Sequence, residues 1–338
     1  MAKFLDKSIN FFKDETVFSV SLLLALFSCF FVKPNFDYLN YINWDTILLL
    51  FVIMIIVEVL KNLSVFELLV RRLLTRTANT RNLVLILVFI TFFSSIFITN
   101  DVSLILFVPF SIMALKKVRR ADLIIITVCL QTIAANVGCM VLPIGAPHNI
   151  VVYTTSNISF GDFFLVLLPY IIVSWIFMIA VLLFIRKDDI LLPTIDKIPF
   201  SRHHFLRRVI SGVDYYLLLT FIALFVLIGN LQNISFFNLL FRQWIVGNEV
   251  LCGVIISQGI SNVPTAMLLS GFSSNVKDII IGINIGGFGT LIASMANLIS
   301  YNILLRECGE YKGRYLIIFT AFNILLLIIL LTLNVMIN

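Results

Sequence analysis

Two short polar motifs sit in the middle of apolar stretches: Thr99-Asn100-Asp101 within 83–115, and Ser261-Asn262-Val263-Pro264-Thr265 within 248–273. A carboxylate in such surroundings is costly, so Asp101 is a functional candidate. It can ligate a cation or carry a proton, or serve more simply as a helix N-cap near an interface. Asn100 and Ser261/Asn262 read as N-caps of the helical arms that follow, with Pro264 at the first helical position. Helix starts present amide N–H groups and a positive dipole end, which suits an anion. Two other segments are rich in helix breakers, with Gly138, Pro143, Gly145 and Pro147 in one and Gly286, Gly287 and Gly289 in the other. Carbonyls freed at such breaks suit a hard cation such as Na+. His148, in Gly145-Ala146-Pro147-His148-Asn149, either carries a proton or hydrogen-bonds freed backbone. Asn136, Asn149, Asn284 and Asn297 either line a site or brace the broken helices.

The elements that would hold these groups are membrane helices. Of 338 residues, 60% are hydrophobic and only 12% charged, and mean hydropathy is +1.07. Uncharged stretches at 123–161, 163–185, 215–241, 250–276, 279–305 and 315–338 each exceed the about 20 residues needed to cross a bilayer. The expected class is an all-α polytopic membrane protein; a soluble enzyme, a secreted disulfide scaffold and a disordered chain are excluded. The net charge of +6 reflects topology and not a nucleic-acid partner. Its basic residues cluster at 61–82, 116–120, 186–208 and 306–314, as cytoplasmic loops do in a plasma-membrane protein. Five cysteines without a CxxC pair point to neither disulfides nor a metal site. The run 17–32 reads as a first transmembrane helix and not a removable signal peptide, since Asp6, Asp14 and Glu15 precede it.

Charge and hydropathy divide the chain into four parts. Residues 1–44 hold the N-terminal segment and first helix. Residues 45–186 hold a span (45–60), an interfacial amphipathic helix (62–78), a hairpin (83–115), a broken span (121–155) and a further span (160–185). A basic loop, 187–211, follows. Residues 212–338 repeat that order with a span (212–230), a short amphipathic stretch (234–247), a hairpin (248–273), a broken span (278–304) and a last span (314–336). The arms of hairpin 83–115, about 16 and 14 residues, reach roughly 21–24 Å against a hydrocarbon core of about 30 Å. A re-entrant hairpin whose tip stops inside the membrane fits that length better than two full spans. The expected count is seven spans and two hairpins, with the N-terminus cytoplasmic and the C-terminus outside. Glu58, Asp214, Glu249 and Asp278 fall at interfacial span ends.

The halves also match in sequence. Thr99-Asn100-Asp101-Val102-Ser103 aligns with Ser261-Asn262-Val263-Pro264-Thr265, and 134–153 aligns without gaps on 282–301. Identities in the longer segment include Asn136/Asn284, Gly138/Gly286 and Asn149/Asn297. Charge places the copies in opposite orientations, which makes an inverted repeat with two re-entrant hairpins and two broken helices. Secondary transporters are built this way, with the site at the midplane between repeats.

Over about 45–336 these residues resemble the ion transporter superfamily that includes divalent-anion/sodium symporters, citrate transporters, arsenite permeases and related sodium/proton antiporters. The resemblance implies that Thr99, Asn100, Ser261, Asn262, Pro264 and Thr265 bind substrate. It also implies a cation site at Asp101, Asn100, Asn262, Gly138, Pro143, Gly145, Gly286 and Thr290, with Na+ the coupling ion and no other cofactor. Elevator-type movement against a dimeric scaffold is a further implication. The chain differs from that family at Asp101, nearer the Asn-Asp of arsenite permeases, and at His148. It is also short, with one span before its second hairpin, so a homodimer is left open.

The expected function is therefore Na+- or H+-coupled transport of a small anion, a carboxylate or oxyanion. The alternatives are a Na+/H+ antiporter, efflux of a neutral oxyacid such as arsenite, and remotely an intramembrane enzyme. The enzyme reading would require Asp101 and His148 to act together, since no HExxH motif or paired intramembrane aspartates are present.

Overall fold

The structure, a computed structural model, describes residues 16–63, 79–190 and 205–337. Among these the regular elements are helices, with one isolated bridge between Asn79 and Asp189. Helices α1 (Thr16–Ser28) and α2 (Trp44–Asn62) come first. A hairpin of α3 (Thr80–Phe97) and α4 (Asn100–Lys117) follows. A broken pair, α5 (Ile124–Gly138) and α6 (Pro147–Thr155), then leads into the long α7 (Phe160–Leu183). The second half runs α8 (Phe205–Gly212), α9 (Tyr215–Asn233) and α10 (Ser235–Ile245). A shorter hairpin, α11 (Glu249–Ile260) and α12 (Asn262–Phe272), precedes the broken pair α13 (Val276–Ile285) and α14 (Met295–Glu307) and the final α15 (Lys312–Ile337).

Among the described residues five segments are long and apolar enough to cross a membrane: Thr80–Phe97, Ala121–Gly138, Phe160–Leu183, Tyr215–Asn233 and Gly309–Ile337. A sixth would join α10 and α11, which meet at 113°. The chain is an all-α polytopic membrane protein. Two lengths differ from the sequence expectation. The first helix ends at Ser28 and not at residue 32; turns occupy the run up to Lys33-Pro34. The arms of the first hairpin are longer than expected, at 18 residues each, because Asn79 caps α3 ahead of Arg81 and α4 continues through Lys116 and Lys117. Length alone therefore does not separate a re-entrant hairpin from two spans here. Residues 64–78 of the expected interfacial helix and most of the 187–211 loop, including 203 and 204, lie outside the described residues.

Packing repeats with the sequence. The first hairpin packs α3 on α5, as the second packs α11 on α13. Each second arm crosses to the other half, α4 onto α14 and α12 onto α6, and α15 packs on α5 as α7 packs on α13. The hairpin bases lie at opposite ends of the bundle. The start of α3 is tied to the end of α7 by Thr80 Oγ1 to the Arg186 carbonyl at 2.5 Å and Arg81 Nε to that of Ile185 at 2.9 Å. Tyr170, in the first half of α7, donates to Asn334 near the end of α15 at 2.7 Å, so those two helices run antiparallel. Lys116 reaches the Glu307 carbonyl at 2.9 Å, which puts the base of α4 beside the end of α14. Arg120 pairs with Asp122 and Asp188 at the same end, where the Asp122 hydrogen bond chiefly raises its already high proton affinity. At the base of the second hairpin Glu249 accepts from Ser273 Oγ at 2.6 Å and from the Gly247 amide at 3.0 Å. Glu249 and Glu58, expected at span ends, are both buried against protein there.

Candidate functional site

Glycines let the broken helices approach their hairpins. A Cβ on Gly138 would fall on the Phe92 carbonyl and 3.1 Å from Ser95 Cβ, and one on Gly286 would fall 2.7 Å from the Gly253 carbonyl and 2.8 Å from Ser257 Oγ. Contact this close is how small residues join helices in lipid. Past Gly138 the chain makes a turn at Pro143–Gly145 and restarts with Pro147 at the first position of α6, where a missing N–H costs no helix bond.

Asparagines meet the polar backbone freed at both breaks. Asn136 Nδ2 donates to Asn297 Oδ1 at 3.0 Å, and Asn284 Nδ2 donates to Asn149 Oδ1 at 2.7 Å. Asn149 in turn donates to the Cys139 carbonyl at 3.0 Å, while Asn297 donates to those of Gly287 and Thr290, both at 3.0 Å. His148 Nε2 lies 3.3 Å from Asn284 Oδ1 and is buried, bonded within this bracing network. Sequence reasoning missed Gln258, which holds the second break: its Nε2 donates to the Gly286 and Phe288 carbonyls at 3.0 Å each, and its Oε1 accepts from the Thr290 amide at 2.8 Å. A glutamine in an apolar arm three residues before Ser261 was the available signal.

The tips differ from each other. The residues preceding the second arms are Thr99 and Ser261; among the described residues neither makes a side-chain cap bond. Ser261 holds the expected cap position, though without a side-chain cap bond; Asn100 and Asn262 are the first helical residues and Pro264 the third, which corrects the cap expected at Asn100 and the first-position proline. The shift is harmless to Pro264, since the first four amides of a helix lack intrahelical partners. Asn100 Nδ2 donates to Asn136 Oδ1 at 3.1 Å, placing the first tip against the first break. Asn262 instead uses its amide N–H, donated to the Ala293 carbonyl at 3.0 Å, which places the second tip against the second break. Thr265 Oγ1 donates to the Ser261 carbonyl at 2.8 Å. Ser261 has φ +72 and ψ 157, a backbone region almost reserved for glycine, at a cost of about 1–3 kcal/mol.

These elements enclose a cavity of about 270 Å³. Its inner wall comes from the first turns of four helices: Thr99, Asp101 and Val102 at α4, Pro147 at α6, Val263 at α12 and Met295 at α14. Four positive dipole ends therefore border one space. The opposite wall is α2, with Glu58 and Lys61, and the start of α9 with Asp214. Asp101 Oδ1 is buried and has no hydrogen-bond partner among the described residues.

Among the described residues no group of three or more His, Cys, Asp or Glu could hold a metal ion. Of the residues assigned to a cation, Asp101 lines the cavity, Asn100 and Asn262 lie at the tips, and Gly138, Pro143 and Gly145 are buried at the first break. The Gly286 carbonyl already accepts from Gln258, and Thr290 is exposed with its hydroxyl donated to the Gln258 carbonyl at 3.2 Å. Thr99 and Asp101 thus share the cavity, while Thr290 lies apart from it. His148 and Asp101 make no hydrogen bond to each other among the described residues.

Comparison with known proteins agrees with this architecture. The family model described as "Citrate transporter" matches residues 13–277. The chain is 29% identical to an uncharacterized transporter of Methanocaldococcus jannaschii, MJ0456, over 92% of this chain and 94% of that one. It is 26% identical to the inner membrane protein YbiR of Escherichia coli over 85% and 87% of the two chains. A transporter of Dictyostelium discoideum named arsB is 29% identical over 44% of this chain and 26% of its own length. With the family model covering most of its length, the chain belongs to the citrate transporter family.

Proposed function

We propose that the chain is a cation-coupled secondary transporter for a small carboxylate or oxyanion, with the cavity at the four helix starts as its substrate site. The observation that carries this reading is the convergence of α4, α6, α12 and α14 on one space. Helix N-termini attract anions without a fixed cation, and the apolar arms supply no Lys or Arg of their own near the tips. Thr99 lines that space directly; Asn100, Asn262 and Thr265 are buried in the tips behind its wall, where they would shape the solute site together with Ser261 and Pro264. The cation, Na+ or H+, neutralises Asp101 when the anion enters.

The bases of the two hairpins would face opposite sides of a bacterial or archaeal plasma membrane, with tips meeting at its midplane. Basic residues Lys116, Arg120 and Arg186 gather at the first hairpin's base, which favours that end as cytoplasmic. The N-terminus would then be cytoplasmic and the C-terminus outside. The wall formed by α2 and α9 is the surface along which the hairpins and broken helices would slide, elevator-fashion, and a homodimer would hold it still. A second reading, exchange of a cation for protons or export of a neutral oxyacid, draws on the unpartnered Asp101 Oδ1, because an uncompensated carboxylate repels an anion.

Solid-supported-membrane currents from purified protein in proteoliposomes test this. Jumps of carboxylates and oxyanions are applied in Na+ and in choline at two pH values. The expected result is current from one anion class that depends on Na+ or on pH. Na+-driven proton movement with no anion response overturns the anion reading and leaves an exchanger.

A further inference from the structure

The cavity reaches beyond the hairpin tips to a pair of residues that the site does not use. Glu58, in the last turns of α2, is only 8% exposed yet lines the same space as Asp101. It is ion-paired with Lys61 one turn on. Gly212, at the end of α8, lies directly against it: a Cβ there would stand 2.6 Å from the Glu58 Cδ. Only a glycine leaves the carboxylate where it is. On α2 the rest of the lining is apolar, with Leu50, Ile53, Met54 and Val57, while Asp214 before α9 adds a polar group to the same wall.

Such a lining suits one kind of traveller. A hard metal cation that sheds water needs about six oxygen ligands. Here the neutral side-chain oxygen on the wall is the Thr99 hydroxyl. The carbonyls at the breaks that accept from Asn149, Gln258 and Asn297, those of Cys139, Gly286, Gly287 and Thr290, belong to residues that do not line this space. A proton needs no such cage. It requires an acceptor at each end, polar groups that can hold water between them, and room for that water: Lys61, Asp214 and Thr99 line the same space as the two acids, and its volume is about 270 Å³.

We propose that Glu58 is the relay through which protons enter and leave Asp101, with Lys61 and Gly212 setting its position. This rests on the coupled-transport reading and names the coupling ion's path. A proton from the basic end of the bundle is taken by the Glu58 carboxylate, which then releases Lys61. The same proton passes through intervening water to Asp101 Oδ1, and Glu58 returns to its carboxylate form and re-pairs with Lys61. The charges around Glu58 are Lys61 on its own helix, Arg207 and Arg208 on the packed α8, and Asp214 before α9. Around Asp101 they are Asp214 across the cavity and, at the far end of α14, Arg306 and Glu307, while His148 on α6 is bonded to Asn284.

Time-resolved infrared spectroscopy after a pH jump, on purified protein in lipid, reads this without any substrate. The protonated-carboxyl band that Asp101→Asn removes reports proton arrival at Asp101. In Glu58→Gln its appearance is expected to slow at least tenfold. Gly212→Ala, which keeps the carboxylate but pushes it aside, is expected to slow it several-fold, and this second variant keeps the test open if Glu58→Gln fails to fold. A band that arrives at the wild-type rate in both variants, or no band lost in Asp101→Asn, overturns the proposal. Glu58-dependent arrival together with silent anion jumps supports the relay and overturns only the anion-transport reading.

Discussion

Asn136 at the end of α5 donates to Asn297 near the start of α14 at 3.0 Å, joining the broken helices of the two halves across the centre of the molecule. The aligned pair Asn284 and Asn149 makes the same bond between the same parts with halves exchanged, at 2.7 Å. Two broken helices thus tie each other, and Asn149 and Asn297 also meet backbone that a straight helix would have satisfied itself.

Removal of Asn136 should therefore unbalance both halves. Asn136→Ala leaves Asn297 Oδ1 and Asn100 Nδ2 without their buried partner, a loss of about 1–3 kcal/mol. The expected outcome is a lower unfolding temperature in detergent, measured by nanoscale fluorimetry. An unchanged temperature would mean that water replaces the amide without cost.

Ser261 carries strain that glycine would not. Its φ of +72 costs about 1–3 kcal/mol, while glycine's greater freedom in the unfolded chain takes back about 0.5–1 kcal/mol. Ser261→Gly should therefore raise stability by about 1 kcal/mol, and Ser261→Val should lower it. If the anion-evoked current falls in the more stable Gly variant, the strained geometry serves the site.

Close helix crossings should show in a contrast between two glycines. Gly286→Ala drives a methyl into the Gly253 carbonyl at 2.7 Å, with an overpacking cost of about 1–3 kcal/mol. Gly259→Ala, on the neighbouring helix with nothing within 4 Å, should be neutral or gain up to about 1 kcal/mol. Parallel thermal melts of the two variants decide this, and equal melts would contradict the crossing.

Asn262 sits at the strained tip with its Nδ2 toward Gly287, where a Cβ would stand 3.2 Å away. Asn262→Ala should reduce anion-evoked current at least tenfold in protein that retains wild-type thermal stability. Wild-type current in that variant would move the substrate site away from the second tip.

Membrane class, helix breaks and the pairing of the two halves follow from local chemistry, and so they were legible in the residues themselves. A run without charge must cross or enter lipid, Gly138 and Pro143 must interrupt a helix, and asparagines stand at aligned positions beside both breaks. Which end of an asparagine amide meets which carbonyl is not local. The bracing by Asn149, Asn297 and Gln258 depends on two helices from different parts of the chain arriving within 3 Å or so of each other. The same holds for Glu58, which in sequence is an acid at a span end and in space shares a cavity with Asp101. Sequence alone thus determined a polytopic, twice-broken helical membrane protein with polar tips in its two hairpins. Tertiary structure alone decided that the freed carbonyls are filled by amides and that an acid on α2 faces the first tip. The reason is that periodicity and breakers act along the chain, while the partner of a buried polar atom is chosen by whichever element packs against it.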